Sequence, residues 1–207
     1  MTELCHVTAI VLAGGSSSRI GCHKAFLQIG DIPLIGLATR KLETAFAEVI
    51  VCSNQKEQFA SLGYRVVGDA FPCALGGLYS GLDAATEEWV FAVGCDMPFV
   101  DVDLVRSMAG YLRGTDVVVP QTSEGMEPLH AFYSKRCLEP IRKRLLAGER
   151  RLISFFDDVR TLRLTEHEIP ELAVPRLSFF NINTREDYDR AVEMAATLEA
   201  AEACQRD

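Results

Sequence analysis

The chain has 207 residues, 48% of them hydrophobic, and a formal net charge of −8. This length and apolar content are enough for one sizeable core, so we expect a single domain spanning residues 1–207. The negative charge argues against a surface that binds nucleic acid, so any phosphate must be held by local positive charge. No run approaches the roughly 18 apolar residues of a membrane span, and the N-terminus lacks the basic start of a signal peptide. We therefore predict a cytoplasmic protein with neither nucleic acid nor a membrane as partner.

The seven cysteines and four histidines do not suggest a structural metal or a disulfide framework. The cysteines form no C-x-x-C pair, and the histidines lack ligand spacing with them. Disulfides are also not expected in the predicted compartment.

Along the first 120 residues, short apolar runs alternate with segments of helical apolar spacing. The pattern predicts strands at 7–12, 48–52, 65–67, 89–94 and 116–119, and helices at 33–46, 55–62, 75–86 and 102–112. Such alternation is typical of βαβ crossovers, so we expect an α/β fold with a mostly parallel, buried sheet.

Beyond residue 120 the predicted strands and helices no longer alternate regularly. We predict a polar turn at 121–125, strands at 129–133, 161–164 and 179–182, and helices at 135–146 and 151–156. Thr184 is expected to cap a last helix that runs through Ala200. Because side chains alternate along a strand, Asn181 and Asn183 would face the same side of the last strand.

The segment after the first strand predicts a phosphate site. Gly14 and Gly15 let the backbone turn sharply and approach a ligand closely, because neither has a Cβ. The glycines and following serines supply hydrogen-bond donors, while Arg19 and Lys24 add positive charge. Donors and cations on a loop after a buried strand are typical of a polyphosphate cradle.

Two better-known phosphate motifs do not fit this loop. Cys22 stands where a P-loop has its lysine, and adjacent glycines are incompatible with G-x-G-x-x-G. The alternative interpretation is a flexible surface loop whose charged residues are only solvated.

An acidic residue follows each of two predicted strands. Asp96 comes after the apolar run 91–94 and before Pro98, while Asp69 follows the strand at 65–67. In an open parallel sheet the carboxyl ends of the strands line the ligand crevice. Mg²⁺ prefers a few protein carboxylates together with substrate phosphates, so we predict Asp96 as a Mg²⁺ ligand. For Asp69 an ordinary loop acid is an equal alternative.

Residues 12–24, LAGGSSSRIGCHK, resemble the L-A-G-G-x-x-x-R-M-G-x-x-K signature of nucleotidyltransferases, which transfer a nucleoside monophosphate from an NTP to a second phosphate. The signature alone is shared by sugar-nucleotide synthases, cytidylyltransferases and molybdenum-cofactor enzymes. Residues 127–133, 146–151 and 180–187 resemble later motifs of the molybdenum cofactor guanylyltransferase family. Membership implies a Rossmann-like three-layer α/β domain, with a nucleotide-binding half at about 5–120 and an acceptor-binding half at about 121–200.

The resemblance also implies roles for individual residues. Those that would contact the nucleotide are Leu12, Ala13, Gly14, Gly15, Lys24, Asn54, Asp69 and Asp96. Arg19, Lys24 and Asp96 would be catalytic, with Asp96 holding Mg²⁺. Asn181 and Asn183 would line the site for the pterin acceptor.

Several positions depart from the family pattern or stay open. The family asparagine that contacts the nucleotide falls at Cys52, and Asn54 either replaces it or starts the following turn. Cys73–Ala74 stands where the family's G-P-L-A-G turn begins with Gly-Pro, so the shape of that loop is open. Arg150 and Arg151 either meet the acceptor phosphate or are solvated.

The function implied by the resemblance is transfer of GMP from GTP to the phosphate of Mo-molybdopterin, which yields the guanine dinucleotide cofactor and pyrophosphate. The alternatives are transfer from CTP or to another phosphorylated acceptor, and a carrier that only delivers the cofactor. Transient contacts with molybdopterin-handling proteins and apo-molybdoenzymes would follow.

Overall fold

The computed structural model describes residues 4–14, 24–59, 63–173 and 177–204. Within them, a mixed sheet forms the centre of the molecule. The strands are β1 (Val7–Leu12), β2 (Gln28–Ile29), β3 (Ile32–Pro33), β4 (Glu48–Cys52), β5 (Arg65–Val67), β6 (Trp89–Gly94), β7 (Val117–Thr122), β8 (Gly125–Met126), β9 (His130–Ser134) and β10 (Thr161–Leu164).

The central sheet has the order β10-β7-β9-β6-β1-β4-β5, with β8 paired to β7 and with β2 and β3 forming a separate small ribbon. Strand β9 runs antiparallel to both β6 and β7, whereas β10, β7, β6, β1, β4 and β5 point the same way. The prediction of a mostly parallel sheet is confirmed. All six residues of β1 are buried because it has strands on both sides and helices on both faces.

Helices cover both faces of the sheet and make three layers. They are α1 (Leu34–Glu43), α2 (Lys56–Phe59), α3 (Ala74–Ala84), α4 (Val102–Ala109), α5 (Leu138–Leu146) and α6 (Arg185–Cys204). Apolar side chains of α1 and α4 pack with one set of β1 and β6 residues, including Val11 and Val93. Those of α3 and α5 pack on the other face, with Ile10 and Ala92. None of the described helices is long and apolar enough to cross a membrane.

Most predicted strand bounds agree with the structure, but the strand predicted at 179–182 is wrong. Leu177–Phe179 forms a short 3-10 turn, and the chain then runs irregularly to α6. The backbone N–H of Ile182 donates to the carbonyl of Asp96, 3.0 Å away, but no ladder follows. The alternating pattern suggested a strand, but Ile182 does not lie on the face of a sheet. It is buried in a separate cluster with Leu34 and Ala191.

The polar turn predicted at 121–125 is also shorter than expected. Gln121 and Thr122 pair with Met126 and Gly125 in a β-hairpin, so only two residues form the turn. Thr184 caps α6 as predicted, because its hydroxyl accepts a hydrogen bond from the Asp187 N–H at 3.1 Å.

Candidate active site

The carboxyl ends of four neighbouring strands lie level with one another. Leu12 at the end of β1 is in register with Cys52 of β4 and Gly94 of β6. Backbone hydrogen bonds continue past the strand ends, from Ala13 to Cys52 and from Cys95 to Leu12. The loops after β1, β4, β5 and β6 are therefore brought to one edge of the sheet, as expected for an open α/β fold.

A cleft of about 510 Å³ opens at this edge. Seven of the sequence-predicted nucleotide residues line it: Leu12, Ala13, Gly14, Lys24, Asn54, Asp69 and Asp96. Gly15 and Arg19 lie outside the described residues. The cleft lies within the range of volumes typical of small-molecule sites.

Lys24 and Asp96 face each other in this cleft. Lys24 begins a short 3-10 turn after the phosphate loop, and Asp96 lies in the turn after β6. The Lys24 ammonium is 3.5 Å from Asp96 Oδ2 and donates a 2.8 Å hydrogen bond to Asn183 Oδ1. Both charged side chains keep about a fifth of their surface exposed, 18% for Lys24 and 22% for Asp96. An incoming anion can therefore reach the ammonium.

The Asp96 carboxylate fits a Mg²⁺ ion that also binds substrate phosphates. Within the described part of the chain, no group of three or more histidine, cysteine or acidic residues could hold a metal by itself. Mg²⁺ is commonly held by one or two carboxylates plus phosphates and water, so a single hard oxygen ligand is compatible with it. A Cβ at Gly94 would lie 2.5 Å from Asp96 Oδ1, so the strand end keeps open the space this carboxylate occupies.

Asn54 and Asp69 form a reciprocal pair between the loops after β4 and β5. The Asn54 amide donates to the Asp69 carbonyl at 2.8 Å, and its Oδ1 accepts from the Asp69 N–H at 2.6 Å. Sequence reasoning left open whether Asn54 contacts a base or starts a turn. The structure shows it joining the two loops, with one amide N–H and one lone pair remaining for a ligand.

The Asp69 carboxylate holds the loop that leads into α3. Its Oδ1 accepts from the Phe71 N–H at 2.7 Å. Burial raises the pKa of Asp69, and the Phe71 and Cys73 N–H groups and the nearby Arg150 charge oppose that shift. The exposed Arg150 therefore lies within electrostatic range of Asp69 at the cleft.

Glycines of α3 allow close packing below the cleft, Gly77 and Gly81 against the sheet and Gly76 against the loop before the helix. A Cβ at Gly77 would lie 2.8 Å from Leu12 Cδ2, and one at Gly81 would lie 2.7 Å from Cys52 Sγ. A Cβ at Gly76 would lie 2.0 Å from the Phe71 carbonyl oxygen. The shape of this loop, uncertain from sequence, is set by Cys73, whose sulfur caps α3 by accepting from the Gly76 N–H at 3.4 Å.

Two of the thiols that line the cleft, Cys52 and Cys95, are buried. Burial raises the pKa of Cys52 and of Cys95 to about 12, so both stay protonated at neutral pH.

A second cavity of about 540 Å³ lies between the β7–β8 hairpin and α6. Asn181 and Asn183 both line it, although they do not alternate on a strand. Asn183 also contacts Lys24, so it links the second cavity to the first. Sequence reasoning missed Glu127, Phe179 and Arg190 as lining residues, because no local pattern shows that a hairpin and a distant helix meet.

The family described as the MobA-like NTP transferase domain matches residues 9–164. The chain belongs to the MobA-like NTP transferase family. The predicted family and its nucleotidyltransferase class are thus confirmed. A relative in Pelotomaculum thermopropionicum, named probable molybdenum cofactor guanylyltransferase, is 39% identical over 91% of this chain and 93% of its own length.

Solved structures of MobA-like and related proteins share the fold. Molybdopterin-guanine dinucleotide biosynthesis protein A from Archaeoglobus fulgidus superposes with a TM-score of 0.78 at 23% identity, covering 92% of this chain and 99% of that one. Rv0371C from Mycobacterium tuberculosis, solved in complex with manganese, gives a TM-score of 0.61 at 18% identity, covering 91% and 98%. The predicted three-layer nucleotidyltransferase architecture is confirmed.

Proposed function

We propose that this MobA-like protein transfers GMP from GTP to the terminal phosphate of Mo-molybdopterin, releasing pyrophosphate and forming the guanine dinucleotide cofactor. The observation that carries the proposal is the contact of Lys24 with both Asp96 and Asn183, where the two cavities meet. One cavity would hold the triphosphate and the other the acceptor. The relatives named molybdenum cofactor guanylyltransferase support this choice of substrates.

The nucleotide occupies the cleft at the ends of β1, β4, β5 and β6, in the half of the chain at about 5–120. Leu12, Ala13, Gly14 and Gly15 supply the backbone against which the phosphates lie. Asn54 and Asp69, joined to each other, form the wall on the β5 side. The acceptor half, at about 121–200, contributes Asn181 and Asn183.

Charge neutralisation and positioning drive the transfer. The acceptor phosphate is already an anionic nucleophile, so no general base is needed as it attacks the α-phosphorus in line. Lys24 and Arg19 stabilise the negative charge that builds on the transferred and leaving phosphates. Asp96 would hold Mg²⁺, which would supply neutralisation of the phosphate charge. The manganese complex of Rv0371C supports a divalent metal in this fold.

The deciding experiment measures pyrophosphate release with purified Mo-molybdopterin and each of GTP, CTP, ATP and UTP in the presence of Mg²⁺. We expect turnover with GTP well above that with the other three. Preference for CTP would overturn the guanine assignment. Cofactor binding without pyrophosphate release would instead indicate a carrier.

A thermal-shift series with the same nucleotides separates binding from turnover. A ligand that binds only the folded form raises the apparent stability according to its affinity, so GTP with Mg²⁺ is expected to give the largest shift. Equal shifts with all four would contradict base selection in the cleft.

A further inference from the structure

Glu127 lies in the wall of the second cavity, in the turn between β8 and β9. Its backbone is fixed on both sides, because its N–H donates to the Pro120 carbonyl and its carbonyl accepts from the His130 N–H, both at 3.0 Å. The side chain is half-buried. Within the described part of the chain, no group donates a hydrogen bond to its carboxylate. The backbone position of Glu127 is thus fixed, and no described residue pairs with its carboxylate.

The surroundings of Glu127 make its negative charge costly. Burial, together with the nearby charge of Glu124, raises the pKa of Glu127 to about 7. The other charged groups that line the cavity are Asp187 and Arg190 on α6. A half-buried carboxyl without a partner is unfavourable for the fold alone, and such groups are concentrated at binding sites.

The rest of the cavity suits a flat ring. Phe179 and Phe180 line it, and the Arg190 guanidinium lies over the Phe180 ring, 5.3 Å from its centroid. Aromatic faces and a stacked guanidinium favour planar, polarisable ligands. Asn183 joins this cavity to Lys24, so an acceptor whose phosphate lies at Asn183 would extend its ring system toward Glu127.

We propose that Glu127 selects the pterin ring of the acceptor by accepting hydrogen bonds from its N3–H and 2-amino groups. This inference rests on the proposed function and adds the residue that recognises the ring. The two carboxylate oxygens match two adjacent donors, and hydrogen bonds to an ionised acceptor are about twice as strong as neutral ones. A ring with a 2-oxo group in place of the amine would place an acceptor against the carboxylate.

The test compares pterin-6-carboxylate with lumazine-6-carboxylate, its 2-oxo counterpart, by fluorescence titration of the full-length protein at pH 8. Wild type is expected to bind the pterin at least about tenfold more tightly, because a mismatched buried acceptor is strongly rejected. Glu127→Gln replaces one acceptor oxygen with a donor of similar size. It is expected to lose or reverse the preference, since its amide can donate to the 2-oxo group.

Glu166→Gln is the matched control, because Glu166 is an exposed acid on the turn after β10. It should keep the wild-type preference, and the melting temperatures of the three proteins should agree. Equal binding of the two compounds by wild type, including binding of neither, would overturn the inference, as would an unchanged preference in Glu127→Gln.

Turnover of GTP and Mo-molybdopterin by the same wild-type preparation separates the two proposals. Turnover without a pterin preference refutes only the role of Glu127. A pterin preference without turnover refutes the transferase and leaves Glu127 as a ring-binding residue.

Discussion

Lys24 donates a 2.8 Å hydrogen bond to Asn183, a residue 159 positions further along the chain. The contact joins the end of the phosphate loop to the segment that precedes α6. It also places one amide where the nucleotide cleft and the second cavity meet. Four predictions concern this arrangement and the groups around it, and a fifth concerns the ion pairs of Asp116.

Asn183→Ala should weaken binding of the acceptor more than binding of the nucleotide. The amide lines the second cavity, while Lys24 keeps its ion pair with Asp96. We expect KM for Mo-molybdopterin to rise about tenfold, as for loss of a hydrogen bond to a charged group, with little change in KM for GTP. Steady-state kinetics with each substrate varied in turn would measure this. Equal increases in both constants would contradict the division into two cavities.

Asp96→Ala should nearly abolish turnover without unfolding the protein. Removing the proposed metal ligand is expected to lower kcat by about a thousandfold. The pyrophosphate-release assay would measure this. Asp157→Asn, an exposed acid on the 3-10 turn after α5, is the control and should retain full activity. Comparable losses in both variants would exclude a special role for Asp96.

Gly94→Ala tests whether space beside Asp96 matters. The added methyl group would lie 2.5 Å from Asp96 Oδ1, 3.5 Å from Leu129 Cδ1 and 3.6 Å from Met97 Cγ. The first contact is with a side chain that can rotate, so the fold should survive while the carboxylate is displaced. We expect kcat to fall by at least about tenfold, since small misplacements of a catalytic group are costly. A variant that melts normally and keeps wild-type kcat would contradict this.

Asn54→Ala should loosen the loops on the β5 side of the cleft. It removes both hydrogen bonds to the Asp69 backbone, each worth about 1 kcal/mol. The free energy of unfolding should fall by about 1–2 kcal/mol, and the GTP affinity should weaken with it. Urea denaturation would measure the first and thermal shift the second. Gln58→Ala, on the exposed side of α2, should change stability by less than about 0.5 kcal/mol.

The ion pairs of Asp116 predict a loss of stability in acid, far from the active site. Arg160 donates two side-chain bonds to its carboxylate at 3.0 Å, and Arg136 donates one at 3.3 Å. The Arg160 hydrogen bonds are the main cause that lowers the pKa of Asp116 from 3.8 to about 2, while burial opposes them. Because the folded-state pKa is depressed, this stabilisation is present above about pH 4 and is lost as the pH falls toward 2.

Asp116→Asn should therefore lower the free energy of unfolding at pH 7 by about 1–2 kcal/mol, after allowance for the exposure of both arginines. Its stability should also decline less between pH 4 and pH 2 than that of wild type. Denaturant unfolding at several pH values would measure both effects. Parallel pH profiles for the two proteins would contradict the assignment.

The sequence allowed the strands of the parallel half to be predicted to the residue. Four of these strands, β1, β4, β5 and β6, are short apolar runs with clear ends. The predicted binding residues come just after them. The cleft could be predicted because parallel strand ends meet at one edge. The sequence alone thus places Asp69 and Asp96 at the same edge of the sheet.

The acceptor side could not be predicted as well, because it depends on contacts between distant segments. The run around Ile182 has a strand-like pattern, yet a single buried side chain and one backbone bond hold it in place. The role of Asn54 was also open from the sequence. Its amide N–H and its Oδ1 both form hydrogen bonds with the Asp69 backbone, and this depends on the approach of the loop after β5.

The backbone bond from Ile182 to Asp96 has a further consequence for heat resistance. The turn that carries the proposed metal ligand depends on a segment that lies outside the central sheet. Detachment of that segment would disturb the chemistry while the sheet is still intact. Catalysis should therefore fail on warming some degrees before the sheet itself melts.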